Sequence, residues 1–149
     1  MTRIRRFIAD ERGAAILETA LTLPLVLLVS VGIFEFGRAY QTWQVLTNAA
    51  REGARVAVLP NPVPGSVEAR VLSYMQSGQL PNAAAATITV DRNVVIVVGA
   101  GSATASRVTV QYPFAFVVLQ PVARLVVSGS TVGAPLTLTA MSEMRNESQ

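Results

Sequence analysis

Residues 13–34 form an almost uninterrupted apolar stretch near the start of the chain. The stretch contains 22 residues and a single charged side chain, that of Glu18. As an α-helix it would extend for about 33 Å, enough to cross a hydrocarbon core about 30 Å thick. The pattern therefore predicts a transmembrane helix.

A secretory signal peptide is the main alternative, because it also combines a basic start with an apolar run. The apolar run here exceeds the usual length of about 7–15 residues, and no small-residue cleavage pattern follows it before Glu35. We therefore expect the stretch to remain in the mature chain. Arginines 3, 5, 6 and 12 precede it and Arg38 alone follows closely. The positive-inside rule then places the N-terminus in the cytoplasm and the residues from about 35 onward outside.

The helix is predicted to continue beyond the membrane. Apolar and small residues recur there at spacings of three and four, which is typical of one face of an α-helix. The residues of this face are Ala39, Trp43, Leu46, Ala50, Gly53 and Ala57. Pro60 and Pro62 would end a single helix of about 45 residues.

Small side chains on this face would allow another backbone to approach closely. We treat Trp43, Leu46, Ala50, Gly53 and Ala57 as a predicted packing seam. The sequence leaves open whether the seam packs against the chain's own domain or against another subunit. Within the span, Pro24 removes one backbone hydrogen bond, so we expect a kink there. The nearby hydroxyls of Thr19, Thr22 and Ser30 are expected to satisfy freed carbonyl groups.

The remainder of the chain predicts a small antiparallel sheet. Residues 87–90 and 94–98 flank Asp91-Arg92-Asn93 in a hairpin-like arrangement, and residues 107–112 and 136–140 alternate as further strands. We therefore predict an α+β fold, pilin-like, with a long N-terminal helix and a small antiparallel β-sheet head domain. The helix has a transmembrane half and an amphipathic outer half. The predicted division is 1–13 basic leader, 14–36 transmembrane helix, 37–59 outer helix and 60–149 head domain.

Two further features of the sequence have no settled role. Residues 113–127 are apolar but interrupted by Pro121 and Arg124, which disfavours a second span and indicates a loop or short helix that covers the core or meets a partner or membrane surface. Glu35 and Arg38, three residues apart, are expected to pair locally as a solvated anchor.

Composition excludes several kinds of chemistry. The chain has no cysteine and no histidine, so disulfides, thiolate catalysis and imidazole acid–base catalysis are impossible. The carboxylates outside the span and its edge show no metal-ligand spacing, and we expect no enzyme activity, cofactor or metal site. All twelve basic residues are arginine and the net charge is +3; without residues 1–13, which hold four arginines and two acidic residues, it is +1. Scattered arginines without a basic stripe predict no nucleic-acid binding.

The order of motifs along the chain resembles that of TadE-like proteins of the Tad (tight adherence, type IVc) pilus systems. The motifs that carry the resemblance are 13–18 (GAAILE), 23–25 (LPL), 34–40 (FEFGRAY), 48–55 (NAAREGAR), 108–114 (VTVQYPF) and 138–145 (LTAMSEMR). The resemblance implies a pseudopilin or minor pilin that is cut between Gly13 and Ala14 by a membrane prepilin peptidase. Glu18 would then be the fifth mature residue and a charge partner for the new amine of Ala14 in a neighbouring subunit.

The same resemblance implies a protein of the inner membrane with its C-terminal domain in the periplasm. Its expected partners are the prepilin peptidase, other Tad pilins or pseudopilins, the inner-membrane assembly platform and the lipid bilayer. The alternative is an unprocessed, single-pass periplasmic module that is anchored in the membrane and acts as a scaffold or binds a partner or ligand through the apolar residues 113–127. An intact N-terminus in the purified protein would favour this alternative.

Overall fold

The chain folds as an α+β protein with a pilin-like order of elements in a computed structural model that describes residues 11–99 and 101–146, with side chains from residue 13. The basic leader that we predicted lies, up to residue 10, outside the described residues. The helices are α1 (Glu11–Ala57), α2 (Ser66–Ser77) and α3 (Leu119–Val126), with a 3-10 turn at Ala83–Ala85. The strands are β1 (Thr87–Val98), β2 (Gly101–Phe114) and β3 (Leu136–Arg145).

Helix α1 is the long helix that the sequence predicts, with 47 residues. Pro24 lies inside it and the helix continues on both sides, so a kink at Pro24 stays a prediction. The hydroxyls of Thr19, Thr22 and Ser30 donate to carbonyl groups four residues earlier, at 2.8, 2.9 and 2.8 Å. Our expectation for these hydroxyls was wrong in one respect. They donate to the carbonyls of residues 15, 18 and 26. The carbonyl that loses its backbone donor because of Pro24 is that of residue 20.

The chain divides into two compact units. Of the described residues, the first contains 11–37 and 116–134, and the second contains 38–99, 101–115 and 135–146. The division places the apolar segment 116–134 with the apolar half of α1, whereas the sequence-based division assigned it to the head domain. The second unit holds the outer half of α1, helix α2 and the sheet.

The core of the second unit lies between α1, α2 and the sheet. Fully buried side chains come from each of these elements and include Leu46, Val67, Val71, Met75 and Val108. They recur every three or four residues on the helices and every second residue on β2, as burial of one face requires. The chain therefore buries one face of α1 against its own domain.

The sheet has three antiparallel strands in the order β1-β2-β3. The predicted hairpin around Asp91-Arg92-Asn93 was wrong, because residues 87–98 form one strand that pairs with β2 along its length and has an irregularity between Asp91 and Val94. Asp91 accepts a hydrogen bond from the backbone N–H of Asn93 at 3.0 Å. Local hydrogen bonds of this kind occur both in β-bulges and in turns. The reversal lies between Val98 and Gly101, which are paired.

An ion-pair group links α1 to α2. The carboxylate of Glu52 lies 2.8 Å from Arg70 Nη2 and 3.0 Å from Arg55 Nη1. The hydrogen bond from Arg70, with the nearby positive charges, lowers the pKa of Glu52 below its ordinary value. Glu52 and Arg55 lie on the outer half of α1 and Arg70 lies on α2, so both partners of Glu52 are in the same chain.

Stability is expected to depend on pH through Glu52. A carboxyl whose pKa is lowered by folding stabilises the folded state above its unfolded pKa, and this contribution disappears as the pH falls through the folded pKa. We expect Glu52→Gln to lower the melting temperature of the full chain in detergent at pH 7. The difference from wild type should shrink below about pH 4. Glu68→Gln on α2 is the control, and a Glu52→Gln difference that stays constant from pH 7 to pH 3 would contradict the assignment.

Candidate functional site

The first half of α1 is an uncovered apolar helix. One helix among the described residues is long and apolar enough to cross a membrane, with a mean hydropathy of 2.1 over its most apolar window and no residue of that window buried. A core helix of a soluble protein would be covered by other elements. Most of its large apolar side chains are at least half exposed, among them Ile16, Leu21, Leu25, Val29 and Phe34. This half of α1 is therefore compatible with a single-pass membrane anchor.

Gly13 and Ala14 lie in the first turns of α1 and are exposed. A Cβ atom placed on Gly13 would meet no heavy atom within 4 Å, as is also true of Gly32 and Gly37. Glycine inside a helix costs about 1 kcal/mol relative to alanine. Packing within the described chain therefore gives no reason for a glycine at position 13.

Glu18 is exposed among apolar side chains. Its backbone carbonyl accepts a hydrogen bond from the Thr22 hydroxyl at 2.9 Å, but its carboxylate has no hydrogen bond or ion pair with another described residue. A carboxylate in lipid is unfavourable by roughly 2.5–3.5 kcal/mol on insertion scales and normally has a partner. The geometry of the described residues supplies none, which leaves the carboxylate available to another molecule.

The predicted packing seam is largely buried inside the second unit. Leu46, Ala50 and Ala57 are at most 3% exposed, and Gly53 is also buried. Trp43 is not buried with them, because this side chain is 41% exposed and its ring lies 6.2 Å from that of Tyr40; its part in a seam stays a prediction. Position 43 lies at the margin of the buried face, since a helix with 3.6 residues per turn advances about 100° per residue. In that turn Thr42 is the buried residue instead.

The seam has its tightest contact at Gly53. A Cβ atom at this position would lie 2.5 Å from Cγ2 of Val71, 3.3 Å from Cγ1 of Val108 and 3.5 Å from Cγ1 of Val67. Helix α2 and strand β2 therefore pack directly against the α1 backbone. Of the two possibilities left open by the sequence, the structure shows packing within the chain for these residues.

Our reading of the sequence missed the role of Glu35. Its side chain is 5% exposed, so the expectation of a solvated anchor was wrong. The carboxylate Oε1 accepts hydrogen bonds from the backbone N–H groups of Val117 and Val118, at 2.9 and 2.7 Å. These groups precede α3, where a negative charge is favoured by the helix dipole. Glu35 therefore holds the start of α3, more than 80 residues later in sequence.

The neighbouring aromatic contact supports the same attachment. The rings of Phe36 and Phe116 lie 5.7 Å apart in an edge-to-face arrangement, a geometry favoured by aromatic quadrupoles. The sequence holds only two signals for this attachment, an acidic residue at the end of the apolar stretch and an apolar segment later in the chain. Neither specifies the other as its partner.

A cleft of about 420 Å³ lies in the second unit, lined by Arg38, Thr42, Leu80, Tyr112 and Phe114, among others. Arg38 donates to the carbonyl of residue 115 at 2.6 Å and lies over the Phe114 ring, 4.6 Å from its centroid. The Tyr112 hydroxyl donates to the carbonyl of residue 81, and burial raises the pKa of this phenol. The polar groups of the cleft thus hold its walls together, and the cleft does not resemble a prepared ligand site.

Comparison with known proteins bears on the N-terminal helix. The family model described as TadE-like protein matches residues 13–55, which is α1 without its first and last two residues. This chain is TadE-like over its N-terminal helix. No curated protein and no solved structure matches it.

The TadE-like match confirms the resemblance drawn from the N-terminal motifs. It relates the chain to the minor-pilin-like membrane proteins of Tad pilus systems. The C-terminal motifs at 108–114 and 138–145 lie outside the matched residues. They occupy parts of β2 and β3, which pair with each other, so both motifs belong to one half of the sheet.

Proposed function

We propose that this chain is a pilin-like subunit, a TadE-type pseudopilin or minor pilin, that takes part in assembling a Tad pilus. One observation carries the proposal: the TadE-like segment coincides with a helix whose first half is apolar and uncovered and whose second half is buried in an α+β domain. A pilin-like subunit needs both properties, because its helix must lie in lipid and also carry a folded domain.

The proposed topology follows from charge. Four arginines precede the span and Arg38 alone follows it closely, so the N-terminus lies in the cytoplasm and the domain from about residue 37 in the periplasm. The membrane is then the inner membrane. The prepilin peptidase acts at its cytoplasmic side, where Gly13 and Ala14 lie.

Cleavage between Gly13 and Ala14 gives the exposed Glu18 a partner. The new amine of Ala14 in a neighbouring pilin or pseudopilin carries a positive charge, and pairing it with Glu18 removes the cost of an isolated carboxylate in lipid. This pair sets the axial position of one subunit against the next. The inner-membrane assembly platform is the proposed site of this association.

The Glu18→Leu variant tests the proposal in cells. Removing a charge from the span should leave membrane insertion intact or improve it, whereas assembly should fail because the amine of the neighbour loses its counter-ion. The measurement is piliation and surface adherence of a deletion strain complemented with the variant, with membrane levels checked by immunoblot.

Thr22→Val is the matched control, one turn away. It removes a hydroxyl that bonds only within the helix, and it should restore piliation fully. Normal piliation with Glu18→Leu at wild-type membrane levels would show that the carboxylate has no part in assembly.

A further inference from the structure

The apolar segment 116–134 exposes large apolar side chains in the described structure. Leu125 is 87% exposed, Val117 68% and Val127 60%. Val118, Val126 and Val132 are also exposed. On the water-exposed surface of a protein, such a concentration of apolar side chains in one short segment indicates an interaction site.

The segment is held in place, so its exposed residues are displayed by an ordered structure. Leu119 and Ala123, one turn apart on α3, are buried at 2% and 3% exposure. Gly133 closes the segment with a φ of 80°, and a Cβ there would lie 2.6 Å from the backbone nitrogen of Gln120. Only glycine fits this close approach without strain. The segment therefore has a defined inner side and a defined outer side.

The point of attachment lies at the end of the membrane-spanning stretch. The apolar stretch ends at Phe34, and Glu35, the next residue, accepts the hydrogen bonds from Val117 and Val118. One residue of helix corresponds to about 1.5 Å. The segment thus joins α1 at the level of the boundary between lipid and water, in the same compact unit as the span.

The charge of the segment suits that boundary. Residues 116–134 contain no acidic residue and one basic residue, Arg124, which is exposed. An arginine at this depth extends its guanidinium toward lipid phosphates while its methylene groups lie along apolar surface. A segment with apolar side chains and a basic one fits a bilayer surface.

We propose that the apolar segment 116–134 docks on the bilayer that α1 crosses, with Val117, Leu125 and Val127 inserted at the boundary of headgroups and acyl chains. The occupant of the exposed surface is lipid, continuous with the lipid around the span. Glu35 is the positioning residue that fixes the segment at this level. The inference rests on the membrane span of α1, and it depends neither on cleavage at Gly13 nor on pilus assembly.

Single-cysteine labelling tests the docking, because the chain has no cysteine of its own. Leu125→Cys, Val97→Cys and Val26→Cys are each labelled with a polarity-sensitive NBD dye in the full chain, reconstituted into vesicles of phosphatidylcholine and phosphatidylglycerol. Val97, 84% exposed on β1, is the control for an exposed apolar side chain outside the segment. Val26 lies in the span and reports insertion itself.

We expect brominated acyl chains to quench the label at position 125 several-fold more than at position 97, and aqueous iodide to quench it several-fold less. Equal quenching at 125 and 97 by both agents would overturn the docking. Protection of position 125 from iodide without quenching by brominated lipid would also overturn it, since protein would then cover the segment. Absence of lipid quenching at position 26 would overturn the span, and with it both the docking and the proposed function.

The role of Glu35 is tested in the same assay. Leu125→Cys combined with Glu35→Ala should lose most of the lipid quenching, while Glu35→Gln, which keeps one acceptor oxygen, should retain part of it. The label at Val26 should be unaffected by both changes. Unchanged lipid quenching at position 125 with Glu35→Ala would leave the docking supported and overturn the positioning role of Glu35.

Discussion

Gly53→Leu is expected to destabilise the folded chain strongly. A Cβ alone at this position would lie 2.5 Å from Cγ2 of Val71, and leucine adds three further carbon atoms. Overpacking of a well-packed core costs typically about 1–3 kcal/mol. Replacing a helical glycine by leucine returns at most about 1 kcal/mol. The unfavourable contact with α2 and β2 therefore outweighs the gain in helix propensity.

Unfolding of the full chain in detergent, followed by circular dichroism, measures this effect. Gly37→Leu is the matched control, because a Cβ at Gly37, also in α1, meets nothing within 4 Å. We expect Gly37→Leu to equal or exceed wild type in stability. If Gly53→Leu behaved like Gly37→Leu, the packing of α1 against Val71 and Val108 would be wrong.

Gly13→Phe is expected to abolish processing of the chain. The peptidase of the proposed pathway must accommodate the side chain next to the bond that it cuts, and phenylalanine there would block access. The fold should not change, because the structure places no heavy atom within 4 Å of a Cβ at position 13. Any loss of cleavage would then arise from recognition by the enzyme.

An immunoblot of cells that express an active prepilin peptidase measures the processing. The control is Gly32→Phe, which makes the same change at another open glycine of α1, far from the proposed scissile bond. We expect the Gly32 variant to migrate as the cleaved form and the Gly13 variant as the longer form. Cleavage of both to the same length would rule out Gly13 as a recognition residue.

The long helix was predictable because its signals are local. Apolar residues continue from 13 to 34, the three-and-four spacing continues to Ala57, and prolines follow at 60 and 62. Each of these acts on the backbone within a few residues. The strands that contain residues 107–112 and 136–140 were predictable for the same reason, since alternation reports which face is buried.

The error in the sheet and the exposed position of Trp43 arise where a local pattern has two structural solutions. The sequence Asp91-Arg92-Asn93 is equally compatible with a turn and with an irregularity inside a strand. Pairing of the flanking residues with β2 decides for the irregularity. Trp43 follows the helical spacing of the seam, but spacing gives the direction of a face and not its width. The neighbouring elements leave Trp43 at the margin.

The attachment of the apolar segment could not be predicted at all. Glu35 accepts hydrogen bonds from the backbone of residues 117 and 118, more than 80 positions later in the sequence. Every residue except proline has a backbone N–H, so the sequence does not show which of them will donate to a given carboxylate. A buried carboxylate that bonds N–H groups before a helix is visible only once the chain has folded. In the span, the roles of Gly13, Ala14 and Glu18 stay predictions from the sequence, whereas the attachment at its outer edge is known only from the structure.

The mass of the full chain extracted from membranes is the most direct test of the proposed function. Intact-mass spectrometry should compare cells that have an active prepilin peptidase with cells that lack it. We predict a chain that begins at Ala14 in the first case and a chain that keeps residues before Ala14 in the second. A chain that retains these residues in both cases would contradict the proposal and favour an unprocessed module anchored in the membrane.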